Sequence, residues 1–359
     1  METNKYSNAI EKIINEADDL PSLPFITQKI LKLTYESDIS LSEISKVVSS
    51  DAAMAARFLK IVNSAYYGFT SKVQDINHAV TILGMLAIRN IAITLSLFDV
   101  FPVNQSREYE DLFRRSLTTA IAADFISQID GNKAHPDVFL AGLLQNLGMF
   151  ILMRYLPQQY MQILITARKF SLDPRIVEDA ELGTNNMRIG EQIGKRWKLP
   201  IIIRAAMQYK AGIRQALDLN IPDEAKIIVK ATYCGGLASD IFWGWNKAQS
   251  IALFKKELTE FFDCEANTAE DILSSLPQLI EDSGFMEPNT LASIPSYESI
   301  VHDAEDELIL TSSKLEKLYK LYMDNAKKFE QQNEQNTFLK NELERSNNLV
   351  QKLALKLQS

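Results

Sequence analysis

LPSLPFITQKILKLTYESDISLSEISKVVSSDAAMAARFLKIVNSAYYG, residues 20–68, decides the fold class. Pro21 and Pro24 break the chain after a modest amphipathic helix over residues 5–17. Apolar residues then return at helical spacing as Ile26, Ile30, Leu31 and Leu33. Ser40-Leu41-Ser42-Glu43 is a capping box: the Ser40 hydroxyl accepts from an early backbone N–H while Glu43 reaches back. The helix it opens runs to about Val48. Asp51 is placed to cap the next one, AAMAARFLKIVNSAYYG, with Gly68 as its stop.

The same periodicity continues outward. Residues 75–101 supply one or two helices containing ILGMLAIRNIAITLSLFDVF, and another covers 107–129. Gly131 and Pro136 mark the turn before a helix over Val138–Tyr155. Further helices are expected near 157–169, 174–182, 185–196, 200–209, 223–243, 248–262 and Ala269–Ser283, the last capped by Asn267 or Thr268. GFMEPNTLASIPSYES, residues 284–299, is rich in turn-formers and reads as a linker. The whole chain has 13 Gly and 11 Pro, which suits long helices better than a sheet with many tight turns.

From Thr311 the composition changes to Lys, Glu, Gln, Asn and Leu, without Gly or Pro. A heptad frame with Leu315 at a places Tyr322, Phe329, Asn336, Leu343, Val350 and Leu357 at a. It places Leu318, Asn325, Gln332, Leu339, Ser346 and Leu353 at d. Nine of these thirteen seam residues are apolar, which predicts a coiled coil rather than a solvated helix folded back on the body.

Bulk properties bound the function. The 359 residues are 46% hydrophobic and 23% charged, an ordinary soluble composition. Net charge is −8, with +3 over residues 311–359 and −11 over the rest, which argues against nucleic acid or anionic membrane as partner. LSEISKVVSSDAAMAARFLKIVNSA has the outline of a helix-turn-helix, yet its second helix offers only Arg57 and Lys60. Its alanine-rich faces favour helix packing over DNA reading. Cys234 and Cys264 form no CxxC pair, and the first twenty residues lack an apolar signal core. Val138–Met153 is interrupted by Gln145 and Asn146 and falls short of the roughly 18 residues of a membrane span. It reads as a buried core helix, and the expectation is a cytoplasmic protein.

Only three histidines exist, His78, His135 and His302, in unrelated contexts. No H-E-x-x-H, P-loop, GxGxxG or GxSxG motif accompanies them. Each lone histidine reads as structural or solvated, and Trp243 and Trp245 read as packing anchors rather than a ligand cage.

Three stretches together resemble the HDOD family, the HD-related output domains. They are residues 20–68, INHAVTILGMLAIRNIAI (76–93), and FLAGLLQNLGMFIL with ELGTNNMRIGEQIGKRWKLP (139–152 and 181–200). The resemblance covers roughly residues 15–215, and NSAYYG and ILG make it specific. It implies an all-α, HD-domain-like multi-helix bundle over 1–215, followed by a helical extension (216–285), a linker (286–310) and a coiled-coil tail (311–359).

Related HD phosphohydrolases hold metal through an early His, an adjacent His-Asp pair and a later Asp. By this resemblance Gln145 and Asn146 stand at the pair and Arg115 at the early His. Asn186, Gln208 and Tyr209 stand at further histidine positions. Neutral amides ligate metals poorly and Arg115 is a permanent cation, so no metal and no cofactor are expected. The same polar residues suit a buried hydrogen-bonded cluster or a ligand pocket. The resemblance thus implies a noncatalytic output module acting on a signalling protein in trans, such as a kinase, a receiver or a cyclic-di-GMP enzyme, with a homodimer through the tail. A nucleotide sensor without turnover, and a metal-dependent phosphohydrolase, are the alternatives.

Overall fold

The computed structural model describes residues 23–34, 40–101, 106–129, 135, 137–208, 210, 213–214, 223–265, 267–286 and 294–357. Among them every regular element is helical. The expected helix over 5–17 lies outside the described residues. The chain divides into two units, residues 1–303 and residues 304–359.

The first unit opens with α1 (Phe25–Thr34), α2 (Leu41–Ser49) and α3 (Ala52–Val62). Ser40 and Glu43 form the reciprocal capping box, and Asp51 accepts from the Met54 N–H at 3.0 Å. The expected continuation of α3 to Gly68 does not occur, for a specific reason. Asn63 turns the chain out: its Nδ2 donates to the Leu59 and Val73 carbonyls, and its Oδ1 accepts from the Val73 N–H at 2.8 Å. A short 3₁₀ turn, Ala65–Tyr67, then ends at left-handed Gly68. Arg57, the one arginine of the helix-turn-helix reading, is bonded to Asp99 at 2.7 Å and to the Leu95 carbonyl.

α4 (Ile76–Val100) is capped by Asp75 and bent at Gly84, whose φ of 76° and ψ of 170° suit only glycine. α5 (Arg107–Ile126) is the central helix. Ser116 through Ala123 are buried in succession, so it meets protein on every side. Its neighbours include α6 (Val138–Leu144), α7 (Leu147–Tyr155), α12 (Asp223–Trp243) and α14 (Thr268–Asp282). The single helix expected over Val138–Tyr155 is therefore two, parted at Gln145–Asn146. Ile76–Leu97 and Val138–Tyr155 are long and apolar enough in composition to cross a membrane, but 89% of the second is buried in this fold.

α8 (Pro157–Lys169), α9 (Pro174–Leu182), α10 (Asn186–Arg196) and α11 (Ile201–Gln208) complete the bundle, and α13 (Lys247–Phe262) stands between α12 and α14. One hydrophobic core takes in Phe58, Ile91, Phe113, Phe150, Ile203, Phe254 and Leu273. Each such side chain contributes roughly 1.5–3 kcal/mol on leaving water. Residues of α12 to α14 belong to that core, so the extension is integral to the bundle.

α15 runs Tyr297–Leu357 without interruption. The stretch read as a linker, 286–310, thus turns helical at Tyr297. Ser296, read as a turn-former, instead caps the helix: its Oγ accepts from the Ser299 N–H at 3.2 Å, and Glu298 sits in the first turn. The second unit is the remainder of this helix, and its side chains from Leu308 to Asn347 are exposed.

Candidate functional site

The break between α6 and α7 places two amides inside the bundle. Gln145 and Asn146 are each only 2% exposed. A buried amide must find partners or carry the cost of desolvation, about 1–3 kcal/mol. Gln145 Nε2 donates to the Thr232 carbonyl of α12 at 3.2 Å, while its Oε1 is buried without a hydrogen bond. Asn146 Nδ2 donates to Ser116 Oγ of α5 at 3.3 Å. Asn146 Oδ1 accepts from Lys210 Nζ at 2.6 Å.

Lys210 lies just past the end of α11. Burial pushes its ammonium below the usual lysine range, and Arg115 and Arg175 act in the same direction, while Asp240 and Asp173 favour the charge. Arg115, on α5, pairs with Asp240 of α12 and donates from Nη1 to the Trp243 carbonyl at 3.1 Å. Its own carbonyl accepts from Ser239 Oγ at 2.9 Å, a third tie between α5 and α12.

Asn186 opens α10 and is held by Glu178 of α9. The Asn186 backbone N–H donates to Glu178 Oε2 at 2.7 Å, and Nδ2 donates to the same carboxylate at 2.8 and 3.0 Å. Tyr160 OH donates to Glu178 Oε1 at 2.9 Å. Burial raises the Glu178 carboxyl above its ordinary value, against the donors from Asn186 and Tyr160. Asn186 Oδ1 is buried with no hydrogen bond. The helix pair α7–α10 closes tightly here: a Cβ on Gly148 would fall 1.8 Å from the Asn186 carbonyl oxygen. Only glycine permits that approach.

A cavity of about 390 Å³ opens beside this cluster, lined by Arg115, Asn186, Lys210, Tyr233, Asp240 and Trp245 among others. Of the residues expected at the site, Arg115 and Asn186 face the cavity, and Asn146 reaches it through Lys210. Gln145 turns toward α12 and does not line it. Gln208 is exposed at the end of α11 and joins neither cavity nor cluster, so its place as a site residue is corrected. Tyr209 lies outside the described residues. Lys210, Glu178, Asp240 and Arg175 are members that the sequence did not reveal.

Among the described residues no three His, Cys, Asp or Glu side chains converge. His78 and His302 are exposed, and His135 Nδ1 accepts from the Asp137 N–H at 3.3 Å. Trp243 anchors packing: its Nε1–H donates to Thr118 Oγ1 at 2.9 Å. Trp245 lines the cavity.

The HDOD domain model matches residues 20–213, more than half of the chain. This chain belongs to the HDOD family. An HDOD domain protein of unknown function from Geobacter sulfurreducens has the same fold, with a TM-score of 0.62 at 19% identity, over 79% of this chain and 98% of that one. A proposed phosphohydrolase from Shewanella amazonensis gives a TM-score of 0.61 at 18% identity, over 79% and 97%. A proposed signal transduction protein from Marinobacter aquaeolei gives 0.59 at 18%, over 82% and 67%. An uncharacterised protein of Treponema pallidum is 24% identical over 272 residues, 76% of the HDOD chain described here. The alignment spans only 51% of that relative's length. At these identities the solved structures fix the HDOD fold and leave the activity open.

Proposed function

We propose that this HDOD chain is a noncatalytic signalling module that acts by binding other proteins. The observation that carries the reading is the Lys210 ammonium on Asn146, at the position the resemblance gives to the His-Asp pair. A divalent cation there would meet a neutral amide and the Lys210 amine, whose ammonium form repels it, with the permanent cation Arg115 alongside. The amide ligates weakly and the cations repel. These donors do not fit the metal of HD phosphohydrolases, whose task is to acidify a water. We accordingly read the site as a pseudo-active centre that binds the bundle together.

A partner in trans, namely a kinase, a receiver or a cyclic-di-GMP enzyme, would receive the signal. The tail would supply a coiled-coil dimer. The signal transduction name of the Marinobacter neighbour supports this direction. A cytoplasmic location stays our reading on the cysteine pattern, since Cys234 and Cys264 form no CxxC pair and suggest no disulfide framework.

The test uses the purified full-length chain, incubated with Mn²⁺ or Fe²⁺ and desalted. Elemental analysis is expected to find well under one metal per chain, and bis(p-nitrophenyl) phosphate is expected to stay intact. Stoichiometric metal, with hydrolysis that chelation abolishes, would overturn the reading. A second reading, a nucleotide sensor without turnover, is favoured by one observation: the cavity joins three cationic side chains to Tyr233 and Trp245. A thermal-shift series with cyclic dinucleotides and (p)ppGpp separates it from the first.

A further inference from the structure

We propose that the tail helix pairs with a second copy of this chain in parallel and in register. This rests on the coiled-coil part of the reading above and is independent of the site. Three observations support it. First, α15 is one helix through Leu357, so the seam is continuous for more than six heptads from Leu315. Second, the seam is bare: Leu315, Leu318, Tyr322, Phe329, Leu339 and Leu343 each expose 61–68% of their surface. A stripe of that kind on a helix with no Gly or Pro needs a partner.

The third observation sets the direction. The polar seam residues are Asn336 at a, and Asn325, Gln332 and Ser346 at d. A parallel in-register pair stacks a on a and d on d. Every polar residue then faces its own copy, and the Asn336 amides can bond each other. An antiparallel pair stacks a on d. Because Asn336 is the only polar a residue of the seam, it can satisfy just one of the three polar d residues. When Asn336 meets Gln332, for example, Asn325 faces Leu343 and Ser346 faces Tyr322. A buried polar group opposite an apolar one is the mismatch that register selection avoids. The flanking charges do not oppose the parallel choice. Lys314, Lys328, Gln335 and Glu342 at g meet Tyr319, Asn333, Lys340 and Asn347 at e, and no like charges coincide. A single buried Asn is a known register device, and four polar layers in fixed order constrain slippage further.

The experiment uses the full chain with Cys264→Ser, carrying either Asn325→Cys or Ser346→Cys in the exposed tail. Light scattering is expected to give twice the chain mass. Mild oxidation is expected to link each variant to itself, since both positions lie at d layers. Only a parallel in-register pair brings both position 325 and position 346 against their own copies. Failure of both variants to link to themselves while the mass stays that of a dimer means an antiparallel pair, whose layers set d against a, and overturns the direction while leaving the dimer standing. A monomer at tens of micromolar, or a trimer, overturns the two-stranded tail itself.

Discussion

Asp124 carries the clearest pH signature of any single residue here. It sits on α5 beneath Tyr66, whose hydroxyl is 3.5 Å from Oδ2. Burial pushes its carboxyl up to about 6, against the Tyr66 hydrogen bond. The folded chain therefore keeps a proton that the unfolded chain releases, between about pH 4 and pH 6. Stability falls as pH rises through that window, and the full penalty, of order 2 kcal/mol, is present above it. Asp124→Asn should raise Tm by several degrees at pH 7.5, and the gain should vanish near pH 4. A gain independent of pH would remove the explanation. At this scale the sequence is least readable. Lys210 past a helix end and Glu178 midway along α9 look like surface charges, and nothing in their neighbours announces burial. Gln145 and Asn146 were readable because they interrupt an apolar run, where a polar residue is the exception.

Elements were legible where a local signal sets them. The capping box at Ser40, the cap at Asp51, the helix from Arg107 and the helices between 157 and 208 follow from periodicity and caps, with shifts of up to three residues at their ends. Three boundaries were not: tertiary partners set the first two, and the third is a local cap hidden among turn-formers. Asn63 leaves α3 to bracket Val73, Gln145–Asn146 splits an apolar helix, and Ser296 caps where turn-formers suggested a linker. Gly84 belongs with these. Space is not its constraint, since a Cβ there would meet nothing within 4 Å. Its φ of 76° with ψ of 170° is the constraint. Gly84→Ala should cost about 1–3 kcal/mol through backbone strain alone. Urea unfolding would measure it, and an unchanged midpoint would show that the bend relaxes without loss.

For the molecule as a whole, the family and the fold class were readable from residues 20–93, because helix spacing and the NSAYYG and ILG stretches lie close together in sequence. The cavity was not, since Arg115, Asn186, Lys210 and Asp240 meet only through the packing of α5, α10, the end of α11 and α12. The chain's two units share one element. α15 begins in the first, where Ile300 is wholly buried in the core, and continues through the second. An isolated helix must first nucleate, with a statistical weight near 10⁻³, before propagation favours it. Here the first turn is formed by the Ser296 cap and the Ile300 contact, so the tail inherits its nucleus from the folded body. A peptide of residues 304–359 must supply its own. At low micromolar concentration it should show markedly less helix by circular dichroism than the same segment contributes to the full chain. Because synthesis runs from the N-terminus, the template is complete before the rod that grows from it.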